Sequence, residues 1–168
     1  GESVQNEKPW ALTVTGGTRK HNIINSLFLK PEELEARVKE RFERYAAIRR
    51  DEQLAEEVLM GDADIAVVAY GASARIAVNA VKAARACGIK AGLIRPISLW
   101  PFPADCIERA AGKVKKFLCV EMSMGQMVDD VRLVVAGRKP VSFFGHTGGI
   151  IPTPDEVLAQ IKELGGVH

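Results

Sequence analysis

Between residues 61 and 168, short apolar runs rich in β-branched residues alternate with amphipathic stretches, and this alternation constrains the fold more than any other feature. Strands that are apolar throughout must be buried on both sides. Interleaved with helices, they demand a mostly parallel sheet covered on both faces, an α/β architecture. Ile65–Tyr70, Ala91–Arg95, Phe117–Glu121 and Val141–Phe144 read as the strands. Ser73–Cys87 reads as a helix with Ile76, Ala80 and Ala84 on one face and Gly88 just past its end. Ala104–Ala111 reads as a short helix closed by Gly112. Gln126–Ala136 reads as a helix with Met127, Val131 and Val134 facing inward and Gly137 at its C-terminal end. Val157, Leu158, Ile161 and Leu164 mark a last one. Thr153-Pro-Asp-Glu156 fits a capping box with Pro154 at the first helical position, and Ser123-Met-Gly-Gln126 fits the same pattern less well.

Residues 1–60 have a different character and read as a linker segment with a long helix, ahead of an α/β domain over 61–168. Gly1 stands in place of a methionine and reads as a scar of tag removal, so a piece of a longer protein is expected. Residues 9–30 mix Trp10, Leu12, Val14 and Ile23 with Gly16-Gly17 and read as extended and turn-rich. Residues 31–60 are dense in charge. Pro31 suits a first helical turn, with Glu32, Glu33 and Glu35 behind it, and Leu34, Val38, Phe42 and Tyr45 form a narrow apolar stripe. Glu33–Arg37, Glu35–Lys39 and Glu40–Arg44 are expected ion pairs, each contributing ~0.2–0.5 kcal/mol.

Several function classes are excluded by composition. The 23 basic and 21 acidic residues leave a net charge of +2, too balanced for a nucleic-acid or membrane-surface partner. No apolar run approaches the ~20 residues of a membrane span. Cys87, Cys106 and Cys119 are widely spaced and lack a neighbouring His. They form no zinc or iron–sulfur pattern and no disulfide framework, and they suit a reducing, cytoplasmic setting.

Ligands of such sheets bind outside the carboxyl ends of the strands, which directs attention to four loops. Gly71–Arg75 opens a helix and is able to offer backbone N–H groups to a phosphate, although a tight turn with Ser73 as N-cap accounts for it without a ligand. Arg95–Pro103 carries three prolines, Trp100 and Phe102 in nine residues. It reads either as a stiff contact surface for another protein or as a corner packed on its own sheet. Glu121 ends a strand and reads as a base or a hydrogen-bond anchor, with no second acid, His or nucleophile spaced to complete a site. Met122, Met124 and Met127 read as core filler or a soft contact surface. His146 among the glycines of Gly145–Gly149 is an anion-site candidate or part of a plain surface loop. No residue set here assembles a catalytic site by sequence alone.

Residues 64–164 resemble the transketolase C-terminal-like domain, and more closely the α subunit of 2-oxoacid:ferredoxin oxidoreductases of the 2-oxoisovalerate type. The resemblance is carried by Gly71-Ala-Ser-Ala-Arg75, Arg95-Pro-Ile-Ser-Leu-Trp-Pro-Phe-Pro103, Val120-Glu-Met-Ser-Met-Gly-Gln-Met127 and Gly148-Gly-Ile-Ile-Pro-Thr-Pro-Asp-Glu-Val157. Residues 9–60 are similar to that subunit's stretch between its first and second domains. The resemblance implies oxidative decarboxylation of a 2-oxo acid, with 2-oxoisovalerate the expected substrate in a family whose versions also take 2-oxoglutarate and pyruvate. Coenzyme A is the co-substrate, and electrons leave through iron–sulfur clusters to ferredoxin. It further implies thiamine diphosphate and Mg in the parent complex, bound by domains that this chain does not resemble, so no cofactor, metal or catalytic residue is expected here. Glu121 is accordingly not the glutamate that activates the thiamine ring. Trp100 and Phe102 are the candidates for subunit contact, and Arg95, Gln126 and His146 are candidates for a ligand such as coenzyme A. A transketolase or a 2-oxoacid dehydrogenase component, and a free-standing module for a phosphate-bearing ligand, are the alternative readings.

Overall fold

The structure, a computed structural model, describes residues 20, 23 and 25–166. The expected turn-rich segment therefore lies outside the described residues, apart from its last few positions. The chain forms two compact units, Gly1–Phe42 and Glu43–His168.

Helix α1 spans Pro31–Asp51 and buries none of its residues. In its first half Lys39 pairs with Glu35 at 2.8 Å, as expected. Arg37 pairs with Glu40 at 3.2 Å instead of with Glu33, and its guanidinium lies 6.0 Å from the Phe28 ring centroid. Leu34, Val38 and Phe42 are exposed.

The second unit is a five-stranded sheet in the order β1-β3-β2-β4-β5, with β1 Ala55–Val58, β2 Ile65–Ala69, β3 Ala91–Pro96, β4 Lys116–Glu121 and β5 Val141–Gly145. Strands β2 to β5 pair in parallel, and β1 runs antiparallel along β3 at one edge. The helices are α2 Gly71–Ala86, α3 Ala104–Ala111, α4 Met127–Val135 and α5 Pro154–Gly165. Alternate residues of each strand feed opposite faces. Ile65, Val67 and Ala69 of β2 pack with α2 and α5, while Ala66 and Val68 pack with α3 and α4. Two-sided burial is the physical reason these strands carry no polar alternation. On its sheet side α2 presents Ala74, Ala77, Ala80 and Ala84, small residues that bring the helix close.

Strand β1 falls within residues 1–60, read from the sequence as a linker segment with a long helix, and joins that segment's end to the sheet. Its Ala-Glu-Glu-Val sequence has little strand propensity, and only its register against β3, Ala55 on Pro96 through Val58 on Leu93, makes it a strand. The two glutamates leave a charged outer edge that discourages further strand addition. The turn after it comes so close to β3 that a Cβ on Gly92 would sit 2.6 Å from Met60 Sδ and 2.7 Å from the Leu59 carbonyl oxygen. Arg85 fastens the same corner. It donates to Ala91 O at 2.6 Å, Leu59 O at 2.7 Å and Asp62 Oδ1 at 2.7 Å, tying the end of α2 to both segments.

Ser73 is not an N-cap: α2 begins two residues earlier, Tyr70 is the capping residue, and Ser73 is buried inside the helix. Gly71 makes this possible by taking a φ of 56°, which an L side chain adopts only with strain. In α4 the residue that faces in with Met127 and Val131 is Val135, while Val134 is only partly buried. The capping box at Thr153 is present. Thr153 accepts from the Glu156 N–H at 3.3 Å, and Glu156 accepts from the Thr153 N–H at 2.7 Å.

Candidate functional site

The sheet changes direction at β2. From there the chain moves outward to β3, then crosses back to β4 on the other side. The carboxyl ends of β2 and β4 thus flank the switch point at which open α/β sheets hold their ligands. The N-termini of α2, α4 and α5 open onto this same edge.

Glu121, the last residue of β4, is wholly buried there and is the cap of α4. One carboxylate oxygen accepts from the Val128 N–H at 2.9 Å. The other accepts from the N–H groups of Gln126 at 3.1 Å and Met127 at 3.0 Å, and from the Ser123 hydroxyl at 3.1 Å. A helix leaves its first N–H groups without intrahelical partners, and a carboxylate placed on three of them satisfies both those donors and the dipole. The expected Ser123–Gln126 capping box is therefore replaced by a cap reaching from the strand. Ser123 braces it, accepting from the Gly125 N–H at 3.0 Å. Gly145 completes the packing, since a Cβ there would meet the Ser123 carbonyl oxygen at 2.7 Å and that of Glu121 at 2.9 Å. Of the two roles expected for Glu121, the geometry fits the anchor. A carboxylate with every neighbour already donating to it and no exposure does not reach a substrate.

The ligand candidates do not converge. Arg95 lies on β3 and pairs with Glu56 of β1 at 3.1 Å. Gln126 contributes its backbone to the α4 cap, and its side chain is exposed. His146 follows β5, where its ring meets Phe144 edge-on at 5.2 Å and its Nε2 lies 3.4 Å from Glu156 Oε1. Three strand spacings of ~4.8 Å separate β3 from β5, which puts Arg95 and His146 at opposite ends of the edge. The Glu156 carboxyl is held below the ordinary range, chiefly by the Thr153 N–H and hydroxyl, with His146 adding to the effect.

The proline loop after β3 splits its two aromatics. Phe102 packs inward on the core beneath α3 and α4. Trp100 stays exposed, with its ring T-shaped against Tyr45 at 5.3 Å and a cis bond to Pro101. Ser98 holds the loop shut, donating to the Pro101 carbonyl at 2.8 Å and accepting from the Leu54 N–H at 3.0 Å. Of the two rings, Phe102 is partly buried against the core and Trp100 is left exposed.

The opposite, amino edge carries a cleft of about 370 Å³ lined by Asp64, Lys90, Lys115 and Lys116 among others. Two of its lysines are engaged: Lys116 donates to the Leu164 carbonyl at 2.8 Å near the end of α5, and Lys115 pairs with Asp64 at 3.2 Å. Lysine at a helix C-terminus is a stabilising arrangement and accounts for Lys116. Among the described residues no group of His, Cys, Asp and Glu is arranged to hold a metal, and no helix is long and apolar enough to cross a membrane. The three cysteines are free. Cys87 is exposed, while burial pushes the Cys106 and Cys119 thiols up to about 12.

The doubly covered parallel sheet, its antiparallel edge strand and its switch point define the α/β class shared by 2-oxoacid oxidoreductase and transketolase domains. Residues 63–157 match the family described as pyruvate:ferredoxin oxidoreductase core domain II, and the chain belongs to that family. The ketoisovalerate oxidoreductase subunit VorB of Methanothermobacter thermautotrophicus is 43% identical over 157 residues, covering 94% of this chain and 44% of that subunit. The 2-oxoglutarate synthase subunit KorA of Methanothermobacter marburgensis is 45% identical over 103 residues, covering 61% and 28%. This chain therefore spans less than half the length of these relatives. Among solved structures, the 2-oxoglutarate:ferredoxin oxidoreductase from Magnetococcus marinus, with 2-oxoglutarate, coenzyme A and succinyl-CoA bound, superimposes with a TM-score of 0.71 at 21% identity, covering 82% of this chain and 24% of that one. A split-gene transketolase, an inactive beta4 tetramer, shares the fold at a TM-score of 0.58 and 21% identity, covering 68% and 42%.

Proposed function

We propose that this chain is the C-terminal region of the α-type subunit of a 2-oxoacid:ferredoxin oxidoreductase acting on 2-oxoisovalerate. The observation that carries the reading is the reach of the likeness. Identity to the ketoisovalerate subunit extends over 157 residues, against 103 for the 2-oxoglutarate subunit at nearly equal identity. The reaction joins the acyl group of 2-oxoisovalerate to coenzyme A, releases carbon dioxide and passes two electrons through iron–sulfur clusters to ferredoxin.

Thiamine diphosphate supplies the carbanion chemistry in such enzymes when bound. The residues described here do not fit that group. Glu121, the buried carboxylate at the switch point, spends both its oxygens on α4. We assign this domain the part of bracing neighbouring domains, with Trp100 at the contact and Phe102 supporting the loop from beneath. Other subunits and ferredoxin are the proposed partners, and the cytoplasm is the proposed compartment.

The test is anaerobic viologen reduction by the purified complex that contains this chain within its full-length subunit, supplied with coenzyme A and each of 2-oxoisovalerate, 2-oxoglutarate and pyruvate. Rapid, coenzyme-A-dependent reduction with 2-oxoisovalerate is expected. Preference for another acid overturns the substrate, and no reduction by a complex with its cofactors bound overturns the reading.

A further inference from the structure

Read from the sequence, Gly71–Arg75 is either a cradle for a phosphate or a tight turn that Ser73 caps without a ligand. The structure removes the second account: the capping residue is Tyr70, and no side chain caps the helix. Three helices begin at the carboxyl edge of the sheet, and two are closed from within, α4 by Glu121 and α5 by Thr153. At α2, among the described residues, the one backbone bond made by an N–H of the first turn runs from Ala74 to the Tyr70 carbonyl. The N–H groups of Gly71, Ala72 and Ser73 have no acceptor among these residues, and no acidic side chain stands in that turn.

Ser73 is a second, independent sign. It is only 3% exposed, and its hydroxyl has no hydrogen-bond partner among the described residues. The Cα–Cβ bonds of a helix tilt toward its N-terminus, so a hydroxyl in the first turn is directed at the carboxyl edge. It is not sealed off there, since among the described residues the one fully enclosed side-chain atom without a partner is His146 Nε2. A buried hydroxyl with nothing to donate to costs free energy, and an anion at the helix start supplies the acceptor. The backbone is shaped for one. Gly71 is left-handed at a φ of 56° and Ala72 is helical, a pairing that turns successive N–H groups into one concavity. Arg75 stands one turn after Gly71 on the same face and leans back toward it. Its side chain is exposed, with no ion pair or hydrogen bond among the described residues. A cation this near a helix N-terminus is unfavourable until an anion joins it. Glu56, the acidic residue lining the same cavity of about 190 Å³ as Arg75, is taken by Arg95 at 3.1 Å.

We propose that the start of α2 binds a phosphate group, held by the N–H groups of Gly71, Ala72 and Ser73, the Ser73 hydroxyl and the Arg75 guanidinium. Every one of these groups is a donor, and together they surround an oxyanion whose charge the helix dipole and the arginine both favour. The site lies at the carboxyl end of β2, beside the switch point of the sheet. It stands whether or not the functional reading above does. The phosphate is inorganic, or it is a group carried by a larger ligand such as coenzyme A; the recognition chemistry is the same.

The test is a titration of the chain with inorganic phosphate at constant ionic strength, followed by amide chemical shifts. Saturable shifts of the Gly71, Ala72 and Ser73 amides are expected, complete by about 20 mM. Arg75→Ala is expected to weaken binding by about 10-fold or more. Ser73→Ala is expected to weaken it by about 3-fold or more with no loss of Tm, because the hydroxyl it removes has no partner in the protein. Lys90→Ala, at the amino edge, is expected to change it by less than about 2-fold. Coenzyme A is titrated in parallel. Tighter binding than phosphate at the same amides assigns the site to a carried phosphate, and weaker binding assigns it to the free ion. Shifts that never saturate overturn the proposal. So does parental affinity in Ser73→Ala, or equal weakening by Arg75→Ala and Lys90→Ala, which reduces the effect to general attraction by the surface.

Discussion

Replacing Glu121 with glutamine tests whether the charge of this carboxylate, and not merely its shape, holds α4 on the sheet. The side chain keeps its length and volume, so no cavity opens. What changes is acceptor capacity. The carboxylate takes three backbone N–H groups and one hydroxyl on two oxygens. An amide has one oxygen. If that oxygen faces Gln126, Met127 and Ser123, the amide nitrogen confronts the Val128 N–H, donor against donor. The reverse orientation strands three donors, so the first is favoured. Hydrogen bonds to charged groups contribute about 1.5–3 kcal/mol each, and a buried donor without a partner costs about the same. Loss of the charge at the N-terminus of α4 adds about 0.3–1 kcal/mol. Glu121→Gln is therefore expected to destabilise by about 2–4 kcal/mol. For a chain of this size that lowers Tm by roughly 5–15 °C, at about 2–4 °C per kcal/mol. Calorimetry of the chain and its variant at neutral pH measures this directly. A Tm within about 2 °C of the parent would refute the reasoning, because it would mean that the charge does no capping.

Three further outcomes follow from the same structure. Gly92→Ala drives a methyl into Met60 and the Leu59 carbonyl, and is expected to cost about 1–3 kcal/mol. Hydrogen exchange should localise the damage to β1 and its pairing with β3. Thr153→Ala removes the α5 cap and should cost about 1 kcal/mol by urea unfolding. In the parent, the Glu156 carboxyl lies below its ordinary range, so its contribution is present above the unfolded-state value and lost as the pH falls through the folded one. The variant should show a shallower loss of stability in acid. Finally, a thiol reagent at pH 7.5 should label Cys87 alone, and all three cysteines only after unfolding. Because Cys106 and Cys119 are raised to about 12 by burial, they favour the folded state below the ordinary thiol value, and that stabilisation is lost as pH rises toward 12.

The sheet was legible because two-sided burial leaves an unmistakable mark: Val67 and Val68 are both apolar since each faces a different helical layer. Ala104–Ala111 and the Thr153 box were legible because their signals are local. Strand β1 was not, since Ala-Glu-Glu-Val becomes a strand only by pairing with β3, some forty residues later. The cap of α4 was hidden for a related reason. Its acceptor, Glu121, belongs to the preceding strand, five to seven residues before the donors it satisfies, and no capping pattern looks that far back. At the candidate site, the residue types of the loops were readable but their directions were not. Phe102 and Trp100 are two positions apart and point to opposite fates, one into the core and one outward.

That division of the proline loop gives the domain its character. Three charged groups of the carboxyl edge are engaged by structure: buried Glu121 by α4, and the half-exposed Arg95 by Glu56 and Glu156 by Thr153 and His146. On the loops after β3, β4 and β5, what remains outside is mostly apolar, with His146 the one ionisable side chain in residues 96–103, 122–126 and 145–153. The proposed role of this domain, bracing neighbouring domains, rests on that arrangement.

The most direct test of that account is to identify the product. The intact complex containing this chain is incubated without oxygen with 2-oxoisovalerate, coenzyme A and oxidised viologen, and the coenzyme A esters are analysed by mass spectrometry. The account predicts isobutyryl-coenzyme A, with two reducing equivalents appearing in viologen for each ester formed. A complex with its cofactors bound that forms no such ester, or forms succinyl-coenzyme A from 2-oxoglutarate in its place, would contradict it.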